Sequence, residues 1–188
     1  VDWADRYRCG NTPWDMGQPH PELTRRIEAG QLTGSRSVLV PGCGRGHDAV
    51  ALAQAGLVVT ALDLVDALHD ELTSALGPHG GRFVAADALD FGQPHELLFE
   101  HTFFCALPPD QRPRYGEMAA RCIGSGGELH AVVFPIDKAP ADEGPPFQMS
   151  TPDLATALGA AFELIEDSPI PQVEGRAWGA RWARFRRR

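Results

Sequence analysis

The residues whose spacing most directly implies chemistry are Gly42, Gly44 and Gly46 in Pro41-Gly42-Cys43-Gly44-Arg45-Gly46-His47-Asp48. A ligand can meet backbone N–H groups closely only where no Cβ intervenes and where the turn accepts unusual dihedrals. Asp63 follows at the end of the apolar run Leu57 to Leu62, where two carboxylate oxygens suit the paired hydroxyls of a ribose. Asp87 closes another short run, Arg82 to Ala86; accepting from an adenine amino group and capping a turn are both open to it. His101 is the neutral-range titrating group after Leu97-Leu98-Phe99-Glu100, and Phe103 and Phe104 make the surface beyond it apolar. Trp3, Tyr7 and Trp14 precede all of these; they suit either closing the edge of a core or covering a ligand, cationic ligands included.

These groups need strands and helices to place them. Val38 to Val40, the glycine turn, a helix from Ala49 to Ala55, the run Leu57 to Leu62 and then Asp63 read as strand, turn, helix, strand, acid. That order fits a nucleotide-like ligand laid across the carboxyl ends of parallel strands, although glycines that only permit a sharp bend would look alike. No Lys-Ser or Lys-Thr follows the glycines, so the triphosphate-binding loop is missing, and histidine stands at 47 where a dinucleotide fingerprint has glycine. A nucleoside without phosphate, such as S-adenosylmethionine, fits better than a pyrophosphate.

The remaining chain supplies further elements. Helices are expected over Pro21–Ala29 with Leu23, Ile27 and the stem of Arg26 inward, over Asp66–Leu76, and over Arg112–Ile123 stopped by Gly124. One more is expected from an N-cap at Thr151 through Leu158. Strands are expected at Arg82–Ala86, Leu97–Glu100, Glu128–Phe134, Phe162–Glu166 and Ala177–Phe185. Asp167 to Gly175 is too short for a crossover helix, so the last pair should be antiparallel. Pro135 to Phe147, with Pro140, Gly144, Pro145 and Pro146, must be a loop, long enough for a lid or pocket wall.

A chain of 188 residues holds one well-buried core. With 17 basic and 25 acidic residues the formal net charge is -8, which disfavours nucleic-acid partners and anionic membranes. The run Arg184-Phe185-Arg186-Arg187-Arg188 is a local exception, read as a solvated end in preference to an RNA contact. Cys9, Cys43, Cys105 and Cys122 are scattered and the histidines form no ligand cluster, so no metal is predicted and a reducing cytoplasmic location is expected. Cys105, flanked by Phe104 and Ala106, reads as a buried structural thiol. No apolar segment is long enough to span a bilayer, and nothing compels a partner beyond a monomer or weak homo-oligomer.

These residues resemble the class I S-adenosylmethionine-dependent methyltransferases, more narrowly the thiopurine S-methyltransferase superfamily and its halide/thiol methyltransferase branch. The likeness rests on Thr12-Pro13-Trp14-Asp15-Met16-Gly17, on Val40 to Asp48, on Leu62-Asp63-Leu64 and on Thr102-Phe103-Phe104-Cys105-Ala106-Leu107. It continues through Gly126-Gly127-Glu128-Leu129, Phe134-Pro135-Ile136, Gly144-Pro145-Pro146-Phe147 and Arg181-Trp182. The resemblance implies an α/β, Rossmann-like three-layer sandwich, with a mostly parallel seven-stranded sheet and an antiparallel last strand. It implies one domain over residues 1–188 whose residues 1–30 cover the cofactor. Trp3, Tyr7, Trp14, Gly42, Gly44, Asp63, Leu64, Asp87, Ala88 and His101 would surround S-adenosyl-L-methionine and its product S-adenosyl-L-homocysteine, with Asp63 on the ribose and Asp87 and Ala88 at the adenine. Tyr7 stands where plant members commonly carry a second tryptophan, and Glu100-His101 replaces Asp-Tyr.

Methyl transfer from a sulfonium is an in-line displacement, so a soft anionic acceptor needs proximity, alignment and exclusion of water more than a base. A pocket of Tyr7, Trp14, Phe103, Phe104 and Phe147 suits a small thiol, arriving as thiolate or bisulfide, and also a halide ion. His101 is the candidate catalytic residue. It can donate a hydrogen bond to the anion, take a thiol's proton, or simply hold backbone carbonyls. An oxygen or nitrogen methyltransferase of a small aromatic metabolite, and a protein that holds the nucleoside without turnover, are the alternatives.

Overall fold

Seven extended runs form the strands: Ser37–Pro41 (β1), Val58–Asp63 (β2), Arg82–Ala85 (β3), His95–His101 (β4), Ile123–Val133 (β5), Phe162–Pro169 (β6) and Arg181–Arg187 (β7). The helices are Trp3–Arg8 (α1), Pro21–Glu28 (α2), His47–Gln54 (α3), His69–Leu76 (α4), Arg112–Cys122 (α5) and Thr151–Leu158 (α6). In the computed structural model, which describes residues 1–139 and 143–188, the sheet order is β3-β2-β1-β4-β5-β7-β6. The β1–β2, β2–β3 and β4–β5 pairs are parallel, whereas β7 is antiparallel to both β5 and β6. This is the expected Rossmann-like α/β sheet with its antiparallel last strand. The chain comprises two compact units, Val1–Asp90 and Phe91–Arg188.

In the first unit, Val38, Leu39 and Val40 of β1 and Val59, Ala61 and Leu62 of β2 are all buried, as a parallel strand covered on both faces requires. α3 packs on β2 and α4 on β3. The bend from β1 into α3 ends at Gly46, at φ 76°, where a Cβ would come within 2.2 Å of Leu72 Cδ2 of α4. Glycine is thus required there both by dihedral and by the closeness of α4. In α2 the inward face carries Leu23 and Arg26, the latter with its Nε donating to the buried Glu22 Oε1 at 2.7 Å. The helix expected from Asp66 begins at His69, because Asp66–Leu68 winds as a tighter 3₁₀ turn.

In the second unit, β4 is longer than the expected Leu97–Glu100, and β5 starts at Ile123 directly from α5. His95 pairs with Ile123 but Leu97 pairs with Glu128, so the group Gly124 to Gly127 is an irregularity within the strand, not a linker before it. A Cβ at Gly127 would lie 2.8 Å from the Glu96 carbonyl oxygen, which explains glycine at that contact. The cap of α6 is Ser150, one residue before the expected Thr151. Ser150 Oγ accepts from Asp153 N at 3.2 Å, and Asp153 Oδ2 accepts from Ser150 N at 2.7 Å. That reciprocal pair satisfies two backbone donors and outcompetes Thr151, whose hydroxyl instead donates to Asp167 Oδ1 at 3.0 Å.

The arginine-rich end is not a solvated tail. It is β7, between β5 and β6, with Trp182, Ala183 and Phe185 buried. Arg184 and Arg186 bracket Glu128 of the neighbouring strand at 3.4 and 3.1 Å. The cross-strand acid makes a basic strand tenable inside the sheet. No helix or strand forms at 134–139 or 143–150, as expected for the loop, and Pro140 lies outside the described residues. Lys138 is buried there, donating to the carbonyls of Glu143 and Pro146 at 2.6 Å each. Among the described residues, no helix is long and apolar enough to cross a membrane.

Candidate functional site

At the end of β2 the Asp63 carboxylate closes the glycine turn. Its Oδ2 accepts from Gly44 N at 2.9 Å and its Oδ1 from Val65 N at 3.0 Å. Burial pushes its pKa up, against the opposing pull of the Val65 and Gly44 N–H groups. A carboxylate offers about four lone-pair sites, so each oxygen keeps acceptor capacity for a hydroxyl. Gly42 and Gly44 both adopt the left-handed conformation, at φ 57° and 56°.

Trp3, Tyr7 and Trp14 come together over this turn. Trp14 packs edge-on against Trp3 at 5.3 Å and Tyr7 at 5.7 Å, and its Nε1 donates to Tyr7 Oη at 3.3 Å. The Tyr7 hydroxyl lies 2.9 Å from where a Gly44 Cβ would stand, so only glycine admits it. Burial, and secondarily the Asp63 charge, raise the Tyr7 pKa, which keeps the phenol neutral. Asp15, within the Thr12–Gly17 motif but given no role from sequence, fastens the segment. Its Oδ1 meets His47 Nε2 at 3.1 Å and accepts from Gly17 N at 2.8 Å, and its Oδ2 pairs with Arg45 Nε at 3.3 Å. The available signal was an acid beside Trp14 in one motif, and a histidine and an arginine in another.

Asp87 caps the 3₁₀ turn that follows it, Oδ1 accepting from Leu89 N at 2.9 Å, and the other oxygen is not used in that bond. Ala88 is buried beside it, while Leu64 is 57% exposed.

In the second unit His101 ends β4, paired with Val132. Thr102 then turns the chain at φ 65°, the one non-glycine residue with positive φ among those described. Phe103 is half-buried, but Phe104 is fully buried, with Tyr115 edge-on at 5.0 Å and the Arg112 guanidinium 4.8 Å over its ring. The structure therefore places Phe104 in the core and leaves Phe103 as the partly accessible ring of the expected pair. Phe147 N donates to the Cys105 carbonyl at 2.7 Å, tying the loop that carries Phe147 to this turn. Cys105 is buried and burial pushes its thiol pKa up, with the Glu100 charge adding to the effect, so it stays protonated.

Glu100 is the residue of this group to which sequence reasoning assigned no role, although an acid directly following the apolar run Leu97 to Phe99 was the available signal. Its side chain is fully buried, and Oε1 accepts from both Phe103 N, at 2.9 Å, and Phe104 N, at 2.8 Å. Burial, outweighing those two N–H bonds, pushes its pKa up to about 7. Tyr115 lies near enough to act on this carboxyl. Direct hydrogen-bond geometry is not reached, and Glu100 Oε2 and the Tyr115 hydroxyl are left without another partner.

The chain as a whole has counterparts among known proteins. The family model for thiopurine S-methyltransferase matches residues 1–184. A probable thiol methyltransferase 2 of Arabidopsis thaliana is 33% identical over 87% of this chain and 74% of its own length. A thiocyanate methyltransferase 1 of Brassica oleracea is 29% identical over 97% and 84%. Among solved structures, a 1,6-didemethyltoxoflavin-N1-methyltransferase of Burkholderia thailandensis, with S-adenosylhomocysteine bound, superposes with a TM-score of 0.78. It covers 99% of this chain and 85% of its own at 20% identity, a likeness of fold. With the family model matched from residue 1 to residue 184, the chain belongs to the thiopurine S-methyltransferase family of class I S-adenosylmethionine-dependent methyltransferases.

Proposed function

We propose that this enzyme moves a methyl group from S-adenosylmethionine to a small, soft nucleophile, foremost a thiol as thiolate or bisulfide, with halide or thiocyanate ions as further acceptors. The observation that carries the donor half is Asp63 held by Gly44 N and Val65 N beneath the Trp3–Tyr7–Trp14 cluster. A nucleoside sulfonium fits these residues: acceptor capacity remains for two vicinal hydroxyls, the turn has no Cβ, and aromatic faces attract a cation. Residues 1–30 act as its cover, Gly42 and Gly44 meet it through backbone, and Asp87 and Ala88 serve the base. When bound, S-adenosylmethionine supplies an electrophilic methyl carbon and departs as a neutral thioether.

On the acceptor side, Phe103 and Phe147 exclude water, and His101 donates a hydrogen bond to the anion. A weakly hydrated anion loses little on entering apolar surroundings, whereas a carboxylate or phosphate would lose far more. The names of the plant relatives support a thiol or thiocyanate acceptor. All four cysteines are unpaired, which supports a reducing, cytoplasmic location.

The test is methyl transfer from labelled donor to hydrosulfide, a small alkyl thiol, iodide, thiocyanate and a phenol, with wild type and His101→Phe. Turnover of the sulfur nucleophiles and iodide, weakened by His101→Phe, is expected. Turnover of the phenol alone would overturn the acceptor, and donor binding without any turnover would overturn catalysis.

A further inference from the structure

We propose that Glu100 is a positioning residue for methyl transfer: the two N–H bonds accepted by its Oε1 hold the left-handed Thr102 turn, and thereby set how His101 and Phe103 leave β4. Thr102 has a β-branched side chain and φ 65°, a combination that persists only where its surroundings impose it. The imposing contact is the Glu100 carboxylate. One carboxylate oxygen gathers the N–H groups of Phe103 and Phe104, the first two residues after Thr102, at 2.9 and 2.8 Å. Because Phe104 is itself locked between Tyr115 and Arg112, the turn is pinned at its far end as well. His101 is pinned at the near end by its pairing with Val132.

The grip depends on charge. Bonds to a carboxylate are about twice as strong as bonds to a neutral carboxyl. Glu100, fully buried, changes charge near pH 7. The titratable groups that act on it are Tyr115 of α5, His101 of β4 and Cys105 of the following turn. The turn is therefore tighter above neutrality and looser below it.

The inference rests on the acceptor-side reading above, and its test separates the two. Backbone amide resonances of Phe103 and Phe104 are followed by NMR across pH in wild type and Glu100→Gln. In parallel, kcat is measured with iodide, whose charge does not change with pH, and affinity for S-adenosylhomocysteine is measured by calorimetry. In wild type both amides should titrate with a midpoint of about 7, and kcat should rise with pH through the same midpoint. Glu100→Gln keeps an acceptor oxygen, so both curves should flatten while kcat falls by about tenfold or less. Glu100→Leu removes the acceptor and should lower kcat on the order of a hundredfold with product affinity unchanged. If wild type does not methylate iodide, the halide part of the acceptor reading fails, and the amide titrations still decide the role of Glu100. The proposal is overturned if the amides do not titrate near neutrality, if Glu100→Gln leaves the wild-type pH profile in place, or if kcat falls as pH rises.

Discussion

A single carboxylate does different work according to what surrounds it, and Asp63, Glu100 and Glu128 show three cases. Asp63 is held by two backbone N–H groups and retains acceptor capacity, the condition for binding a diol. Replacing it with asparagine keeps the shape but removes the charge from each bond it would make to the nucleoside. Affinity for S-adenosylhomocysteine should then fall by about 2 kcal/mol, roughly thirtyfold, as read by calorimetry. Unchanged affinity would exclude Asp63 from donor binding. Glu100 by contrast spends one oxygen on the turn after β4 and leaves the other unpartnered, and burial dominates its titration.

Between elements, the tightest constraint in the second unit is the approach of α5 to the end of α6. A Cβ on Gly116 would lie 1.7 Å from the Ala157 carbonyl oxygen, a backbone atom that cannot step aside cheaply. Gly116→Ala should therefore destabilise the fold by about 3 kcal/mol or more in urea unfolding, despite alanine's better helix propensity. Ser150→Ala removes only the cap of α6 and should cost about 1 kcal/mol. If the two variants unfolded at the same urea concentration, the α5–α6 contact would not be the tighter constraint.

Over the whole molecule, stability against pH should carry two opposing contributions. The Glu128 pKa is lowered to about 2, first by the His130 hydrogen bond and further by Arg186 and Arg184, from a usual 4.5. A depressed carboxylate stabilises fully above its unfolded pKa, and that contribution disappears as pH falls from about 4.5 to about 2. Glu100 has the opposite sign. Its folded pKa lies above the unfolded one, so the native state binds more protons between about 4.5 and 7, and stability declines as pH rises through that window. In chemical unfolding at a series of pH values, Glu128→Gln should flatten the acid side of the profile. Glu100→Gln should remove the decline and stabilise the protein above neutrality by up to about 3 kcal/mol. Parallel profiles for wild type and both variants would refute this division. Legible along the chain were the features that depend on sequence neighbours: the largely apolar runs of β1 and β2, the glycine bend between them, the terminal acid, and the antiparallel final hairpin. Leu57 to Leu62 could be read as a strand because burial of Val59 to Leu62 on both faces leaves a run that is apolar except for Thr60. The basic run of β7 could not be placed from local sequence, since its tenability depends on Glu128 of a strand distant in the chain. Likewise only the tertiary structure put Phe104 in the core, fastened Trp14 through Asp15 to Arg45 and His47, and gave Glu100 its place at the turn. Each of those outcomes rests on partners or burial created by folding, and no local spacing encodes which distant group will occupy a side chain's second face.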